Sequence, residues 1–82
     1  MINEINELRT KLDLIDDKIS ELISERVKTA RKIVEIKGRN DMPKDDFSRE
    51  SAILNRISEL HPENSELLKE IYGRIFDWVK NH

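Results

Sequence analysis

Cysteine is absent from this 82-residue sequence, which excludes a disulfide framework, a thiolate zinc site and a cysteine nucleophile. The two histidines, His61 and His82, lie too far apart for a metal-ligand spacing, so we expect no metal site. No apolar run approaches the roughly 18 residues of a membrane span, and the residues after Met1 are polar rather than typical of a signal sequence. These absences predict a cytoplasmic protein.

An excess of charge of one sign is also missing. The sequence has 17 acidic and 15 basic residues, a formal net charge of −2, and the two kinds are interleaved. Because a nucleic-acid-binding surface needs a basic patch, nucleic acid is not an expected partner. There is no glycine-rich phosphate loop and no serine or histidine arranged as a nucleophile with its base. We therefore expect no cofactor and no covalent catalysis.

Two glycines and two prolines are all that interrupt the chain, and the segments between the breaks predict an all-α fold with one long and two shorter helices. We expect helix 1 over about residues 5–37, helix 2 over about residues 46–60, and helix 3 from residue 64 or 65 to the end. Gly38 is expected to end helix 1, and Gly73, a costly residue inside helix 3, indicates a close helix contact. The apolar face of helix 3 is predicted to contain Leu68, Ile71, Ile75 and Val79.

Helix 1 is too long for a compact domain of this size. About 33 residues at 1.5 Å each span roughly 50 Å, whereas a compact domain of this length is about 30 Å across. Because the apolar stripe of the helix continues along most of its length, we expect a second copy to cover the overhang. The chain is therefore predicted to be a single domain, residues 1–82, in an intertwined helical homodimer. A long coiled coil with two loose helices is the alternative.

An arginine interrupts the apolar stripe of helix 1. Steps of four and three residues connect Leu8, Leu12, Ile15, Ile19, Leu22, Ile33 and Ile36. The same stride from Leu22 reaches Arg26 and Thr29 before the apolar residues resume. Such a stripe faces the interior of a helical assembly, where an arginine is costly unless an anion meets it. That anion comes either from the protein itself, with Glu50 as a candidate, or from a ligand.

Two further cations have defined positions relative to Arg26. Lys37 lies on the same helix face about 16 Å further along, within reach of the same small ligand. Arg9 lies about 25 Å in the other direction and is rotated by roughly 100°, so it cannot reach that pocket in its own chain. Across a dimer with antiparallel first helices, it could reach the pocket of the other copy.

Helix 2 repeats the pattern with acidic residues. Glu50 and Asp46 extend, by the same stride, an apolar stripe of Ile53, Ile57 and Leu60. Asp46 is expected to cap the helix, Glu50 to lie one turn inside it, and Arg49 to lie beside them. If helix 2 folds back on helix 1, this patch comes near Lys37.

Each of these charges also has an ordinary structural explanation. Lys37 complements a helix dipole, Asp46 is a cap, Arg49 pairs with Asp45 on the surface, and all of them could form one ion-pair network. Taken together, they indicate a cationic pocket for a small dicarboxylate, with carboxylates that accept a hydrogen bond from a ligand hydroxyl. Such a pocket suits a reaction that needs conformational restraint and charge stabilisation.

Several segments resemble the all-helical chorismate mutases. Residues 8–19 (LRTKLDLIDDKI) are similar to the family pattern L-R-x-x-I/L-D-x-I-D, and residues 43–50 (PKDDFSRE) are similar to its P-x-x-D-x-x-R-E motif. Residues 71–76 (IYGRIF) resemble a segment of its third helix. Between the first two motifs, the family spacing is matched by Glu25, Arg26, Ala30, Ile33 and Lys37. The resemblance covers essentially the whole chain and is specific in the order and spacing of the motifs.

The resemblance implies conversion of chorismate to prephenate, a step in phenylalanine and tyrosine biosynthesis that needs no covalent catalyst. Arg26 and, from the other subunit, Arg9 would bind the two substrate carboxylates. Lys37 would donate to the ether oxygen, where negative charge grows as the C–O bond breaks. Asp46 and Glu50 would surround the ring hydroxyl. Arg26, Lys37 and Glu50 are the implied catalytic residues.

The resemblance also implies Arg49 at the pocket edge and a second donor to the ether oxygen late in helix 3. That glutamine or glutamate would fall just past His82, and Val79 stands where the family often has a serine. We therefore expect a truncated, weakened or altered mutase, or a substitute donor in Asn81 or His82. Two other functions stay open: a related lyase acting on isochorismate, and a non-catalytic helical dimer that binds a dicarboxylate or a partner enzyme.

Overall fold

The helices begin and end close to their predicted positions. The structure is a computed structural model that describes residues 2–82. Its elements in chain order are α1 (Ile2–Arg39), α2 (Phe47–Leu60), a short 3₁₀ turn (Pro62–Asn64) and α3 (Ser65–Asn81). No strand occurs among the described residues, so the predicted all-α fold with one long and two shorter helices is confirmed. α1 extends slightly beyond its predicted bounds at both ends.

The sequence predicted that α1 ends at Gly38, and this prediction is wrong. The helix continues to Arg39, and the chain then turns at Asp41, which has a φ of 54°. The backbone N–H of Met42 donates to the Lys37 carbonyl over 2.8 Å and closes the end of the helix. Aspartate adopts the left-handed conformation more readily than most residues, so Asp41 terminates the helix in place of a glycine.

The core is formed between α2 and α3, and α3 also packs against α1. Ile53 and Ile57 of α2 and Phe76 of α3 are buried together. The flanking, partly buried residues are Leu54, Leu68 and Tyr72. Full burial of one such side chain contributes about 1.5–3 kcal/mol. The predicted stripe of α2 is correct at its two isoleucines but wrong at Leu60, which is 65% exposed.

The predicted face of α3 is confirmed at Ile75, which is 8% exposed, and at the partly buried Leu68 and Val79, but the observed face is wider. Ile71, which the sequence placed on that face, is 39% exposed, whereas the neighbouring Tyr72 is partly buried and Phe76 is buried. The two rings meet edge to face with their centroids 6.2 Å apart. Aromatic rings bury more apolar area than an isoleucine, so packing turns them inward. Beside Ile75 and Val79, a further inward row runs through Leu68, Tyr72 and Phe76 in steps of four residues, and Lys80 continues it.

α1 extends far beyond the other two helices. Its 38 residues correspond to about 57 Å of helix, and the described chain measures 58 × 24 × 17 Å. The radius of gyration is 16.5 Å, against about 12 Å for a compact domain of this length. Every residue from 2 to 25 is exposed. Although α1 is long, it is too polar to cross a membrane, and no other helix in residues 2–82 is long and apolar enough to do so.

Gly73 lacks the close helix contact that the sequence predicted, because a Cβ atom added there would meet no other atom within 4 Å. We predict that Gly73→Ala raises the free energy of unfolding by about 1 kcal/mol, since alanine restricts the unfolded chain and enters open space. Urea unfolding followed by circular dichroism measures the change. Gly38→Ala, equally open but in the last turn of α1, is the control with a smaller expected gain. A destabilised Gly73→Ala would contradict the prediction.

Candidate functional site

A groove of about 460 Å³ forms where all three helices meet the loop that precedes α2, a size that suits a small ligand. Its apolar lining includes Ile33, Val34, Ile53, Phe76 and Val79. Its cationic lining consists of Arg26, Lys37, Lys44, Arg49 and Lys80. Two carboxylates, Asp46 and Glu50, also line it, so five positive and two negative side chains leave a net charge of +3. The groove therefore favours an anionic ligand.

Arg26 is held in this groove by aromatic rings rather than by an acid. The side chain is partly buried, and its guanidinium carbon lies 5.3 Å from the ring centroids of both Tyr72 and Phe76. Within residues 2–82, no carboxylate forms an ion pair with it. The aromatic faces attract the cation while leaving its hydrogen-bond donors available. The possibility that Glu50 neutralises Arg26 is therefore wrong, because Glu50 pairs elsewhere.

Lys37 has a loosely held partner. Its Nζ lies 3.8 Å from an Asp46 carboxylate oxygen, beyond ordinary hydrogen-bond length, although the lysine side chain is only 20% exposed. The other Asp46 oxygen accepts from the backbone N–H of Arg49 over 3.0 Å and caps α2 as predicted. The cap fixes the aspartate at the start of α2, so the Lys37 ammonium retains donors for a ligand.

Lys80 is a groove residue that the sequence interpretation missed. Its Nζ lies 2.7 Å from a Glu50 carboxylate oxygen and 3.0 Å from an Asp45 carboxylate oxygen. The hydrogen bond with Glu50, followed by the one with Asp45, raises the pKa of Lys80 above its ordinary value. The available signal was the four-residue row on α3, in which Phe76 is followed by a lysine. The predicted face of α3 ended at Val79 and did not include Tyr72, Phe76 or Lys80.

The structure brings together five of the six residues predicted to bind the substrate. These are Arg26, Lys37, Asp46, Arg49 and Glu50. Arg9 does not line the groove of its own chain and is exposed on α1, about 25 Å along the axis from Arg26. Lys44, two residues before the α2 cap, was not singled out from the sequence but contributes a further cation.

The last residues of α3 do not supply a donor to the groove. The side-chain amide of Asn81 donates to the Asp77 carbonyl over 3.0 Å, and the ring of His82 stacks on Trp78 with centroids 3.8 Å apart. Val79 does line the groove, as an apolar side chain. Asn81 and His82, the alternative donors considered from the sequence, therefore do not line the groove.

A second groove, of about 610 Å³, lies between α1 and α3. It is lined by four cations and a single carboxylate, Glu35, over an apolar floor that includes Trp78. None of the residues predicted to bind a ligand lines it. The smaller groove is the better candidate, because it combines cations with carboxylates that can accept a hydrogen bond from a ligand hydroxyl.

Three helices around a groove with excess positive charge define a small all-helical protein suited to an anionic ligand. The model of the family described as chorismate mutase type II matches residues 8–82. The chain therefore belongs to the type II chorismate mutase family, and the family predicted from its motifs is confirmed.

Two relatives have substantial identity to the chain. The protein named "Chorismate mutase" from Methanocaldococcus jannaschii is 42% identical over 65 residues, which cover 79% of this chain and 66% of that protein. The protein named "Bifunctional chorismate mutase/prephenate dehydratase" from Aquifex aeolicus is 37% identical over 75 residues, which cover 92% of this chain and 19% of that protein. The chain thus spans just under two thirds of the first relative and about a fifth of the second. No solved structure matches the chain significantly.

Asp46 both caps α2 and lines the groove, and two substitutions separate these roles. We predict that Asp46→Ala lowers the free energy of unfolding by about 1 kcal/mol, because the Arg49 N–H loses its acceptor. Asp46→Asn keeps an oxygen at the cap but removes the charge beside Lys37, so it should retain most of the stability. Urea unfolding of the three proteins measures the difference. Equal losses in both variants would assign the stability to the ion pair instead.

Proposed function

We propose that this chain catalyses the rearrangement of chorismate to prephenate, in composite active sites of a homodimer. The proposal rests on the weak ion pairing of two cations in one groove. Arg26 has no ion-pair partner among residues 2–82, and Lys37 has one at 3.8 Å. A dianionic substrate would supply the ion-pair partner that Arg26 lacks in the described chain and a closer partner for Lys37 than Asp46.

In this proposal, the two ends of the groove perform different tasks. Arg26, together with Arg9 of a second copy, binds the two carboxylates of chorismate and selects its compact conformer. Lys37 donates to the ether oxygen, on which negative charge grows as the C–O bond breaks. Asp46 and Glu50 accept from the ring hydroxyl at the start of α2.

Rate acceleration would come from restraint and electrostatics, since the rearrangement is intramolecular and needs no nucleophile. Holding the reacting carbons in contact removes much of the entropic cost of reaching the transition state. One donor placed where negative charge develops, the role proposed for Lys37, is worth about 3–4 kcal/mol. The apolar lining contributed by Val34, Ile53 and Phe76 excludes water and strengthens these interactions. Arg49 would add positive charge at the edge of the groove.

The homodimer is supported by the length and exposure of α1. Seven apolar side chains on one stripe are each 41–62% exposed in the single chain, namely Leu8, Leu12, Ile15, Ile19, Leu22, Ile33 and Ile36. A contiguous apolar surface of this kind is typical of an interface. Arg9 lies in the exposed half of α1, and a second copy packed antiparallel along this stripe would bring its Arg9 towards the groove. The cytoplasmic location predicted from the sequence remains part of the proposal.

We predict that the purified protein consumes chorismate and that Arg26→Ala lowers kcat/KM by about 100- to 1,000-fold, because the variant loses charge-assisted hydrogen bonds to a substrate carboxylate. Loss of the ultraviolet absorbance of chorismate measures the rate. Arg31→Ala, which removes a cation of α1 outside this groove, is the matched control and should stay within about 3-fold of the wild type.

Two other results would contradict the mutase proposal, and a third would contradict the role proposed for Arg26. Production of salicylate and pyruvate from isochorismate, without turnover of chorismate, would indicate the related lyase. Binding of a bicyclic dicarboxylate without any turnover would indicate a non-catalytic binding protein. An Arg26→Ala variant that unfolds, as judged by circular dichroism, would assign the arginine a structural role.

We further predict that inactive Arg9→Ala and Arg26→Ala subunits restore activity when they are mixed. Each mixed dimer would contain one site with both arginines and one site with neither. Complete exchange of equal amounts should therefore recover about a quarter of the wild-type sites. Mixing after mild unfolding and refolding, followed by the chorismate assay, measures the recovery. Absence of recovery after subunit exchange has been verified by mass spectrometry would contradict a shared site.

A further inference from the structure

Lys80 is bound more tightly to acids than any other groove cation in residues 2–82. Its Nζ contacts Glu50 of α2 and Asp45 of the preceding loop at 2.7 and 3.0 Å, and it lies 5.1 Å from the centroid of the Phe47 ring. Only 18% of its side chain is exposed. These contacts place a neutralised cation at the α3 side of the groove, whereas Arg26 and Lys37 keep donors available on the α1 side.

Glu50 depends on this lysine for its position. No other cation in residues 2–82 forms an ion pair with the Glu50 carboxylate, and the carboxylate side chain is 21% exposed. Without the ammonium group, the glutamate would be free to change rotamer and would face the groove with an uncompensated negative charge. A dianionic ligand would then be repelled by the Glu50 carboxylate, which in the proposed function accepts a hydrogen bond from the ligand hydroxyl.

We propose that Lys80 is a positioning residue that orients the Glu50 carboxylate and offsets its charge, so that the groove accepts a dianionic substrate. This inference rests on the proposed function. The lysine acts through the glutamate and does not touch the reacting atoms. Because the Lys80–Glu50 pair is formed before substrate binds, its effect is shared by the ground state and the transition state, and it should appear mainly in KM.

A purely mechanical role for Lys80 would give different results. The same ammonium group joins α3 to the loop through Asp45, which does not line the groove. If the lysine served only to fasten that loop, Asp45→Asn would impair the protein as much as loss of the lysine does. If the lysine acts through Glu50, removal of Asp45 leaves the functional pair intact.

The test measures kcat and KM for chorismate in the wild type and in matched variants. We expect Lys80→Met, which keeps the apolar stem, to raise KM roughly 10-fold while kcat changes by less than about 3-fold. Lys80→Arg should restore KM to within about 3-fold of the wild type because it restores the charge. Asp45→Asn should stay within about 2-fold of the wild type. Thermal unfolding verifies that each variant is folded, and Lys80→Gln replaces Lys80→Met if that variant does not fold.

A double-mutant cycle then assigns the effect to Glu50. In a Glu50→Gln background, Lys80→Met should change KM by less than about 2-fold, since a neutral amide needs no compensating charge. An unchanged KM in Lys80→Met, a full 10-fold effect in the Glu50→Gln background, or an equal loss in Asp45→Asn would each overturn the inference while leaving an active mutase. A wild type that does not turn over chorismate would overturn the proposed function and this inference together.

Discussion

The guanidinium of Arg26 lies against the rings of Tyr72 and Phe76, and the arrangement of the groove depends on this contact. It forms because α1 packs on α3, whose aromatic residues are turned towards the interior. Aromatic faces hold a cation by their quadrupole without cancelling its charge or occupying its hydrogen-bond donors. Arg26 thereby keeps its charge and its donors on an inward face of α1, and no carboxylate in the described part of the chain forms an ion pair with it.

The two sides of the groove differ in how closely their charges are paired. Among residues 2–82, Arg26 on the α1 side has no ion-pair partner and Lys37 is loosely paired, whereas Lys80 on the α3 side is closely paired with Glu50. This division gives the groove a polarity: one side attracts carboxylates, and the other offers an ordered carboxylate as an acceptor. A dicarboxylate that also bears a hydroxyl group complements both sides. Such complementarity is the basis of the proposed intramolecular rearrangement, which needs no nucleophile and no metal cluster, and the described residues contain no metal cluster.

The features that local chemistry determines could be predicted from the sequence, and those that depend on packing could not. Asp46 was identified as the α2 cap because capping needs only a short polar side chain before an apolar period. The inward position of Arg26 followed from helical spacing along a single helix. Lys80 was missed because the predicted face of α3 did not include Tyr72 and Phe76, whose burial depends on packing against two other helices. The prediction for Gly73 was wrong in the opposite direction. A glycine inside a helix was taken to indicate a close helix contact, but a Cβ atom added there would meet no other atom within 4 Å.

If a second copy covers the exposed first half of α1, the folding of this segment depends on the protein concentration. Residues 2–25 are helical but bury no side chain against the rest of the chain. Most of the stability of a helix in a protein comes from tertiary packing of its apolar face rather than from helix propensity. If a second copy provides this packing, folding of this segment and association become one equilibrium governed by mass action. Dilution would then melt the segment and separate the copies together, and the cell would set the fraction of working sites through the expression level.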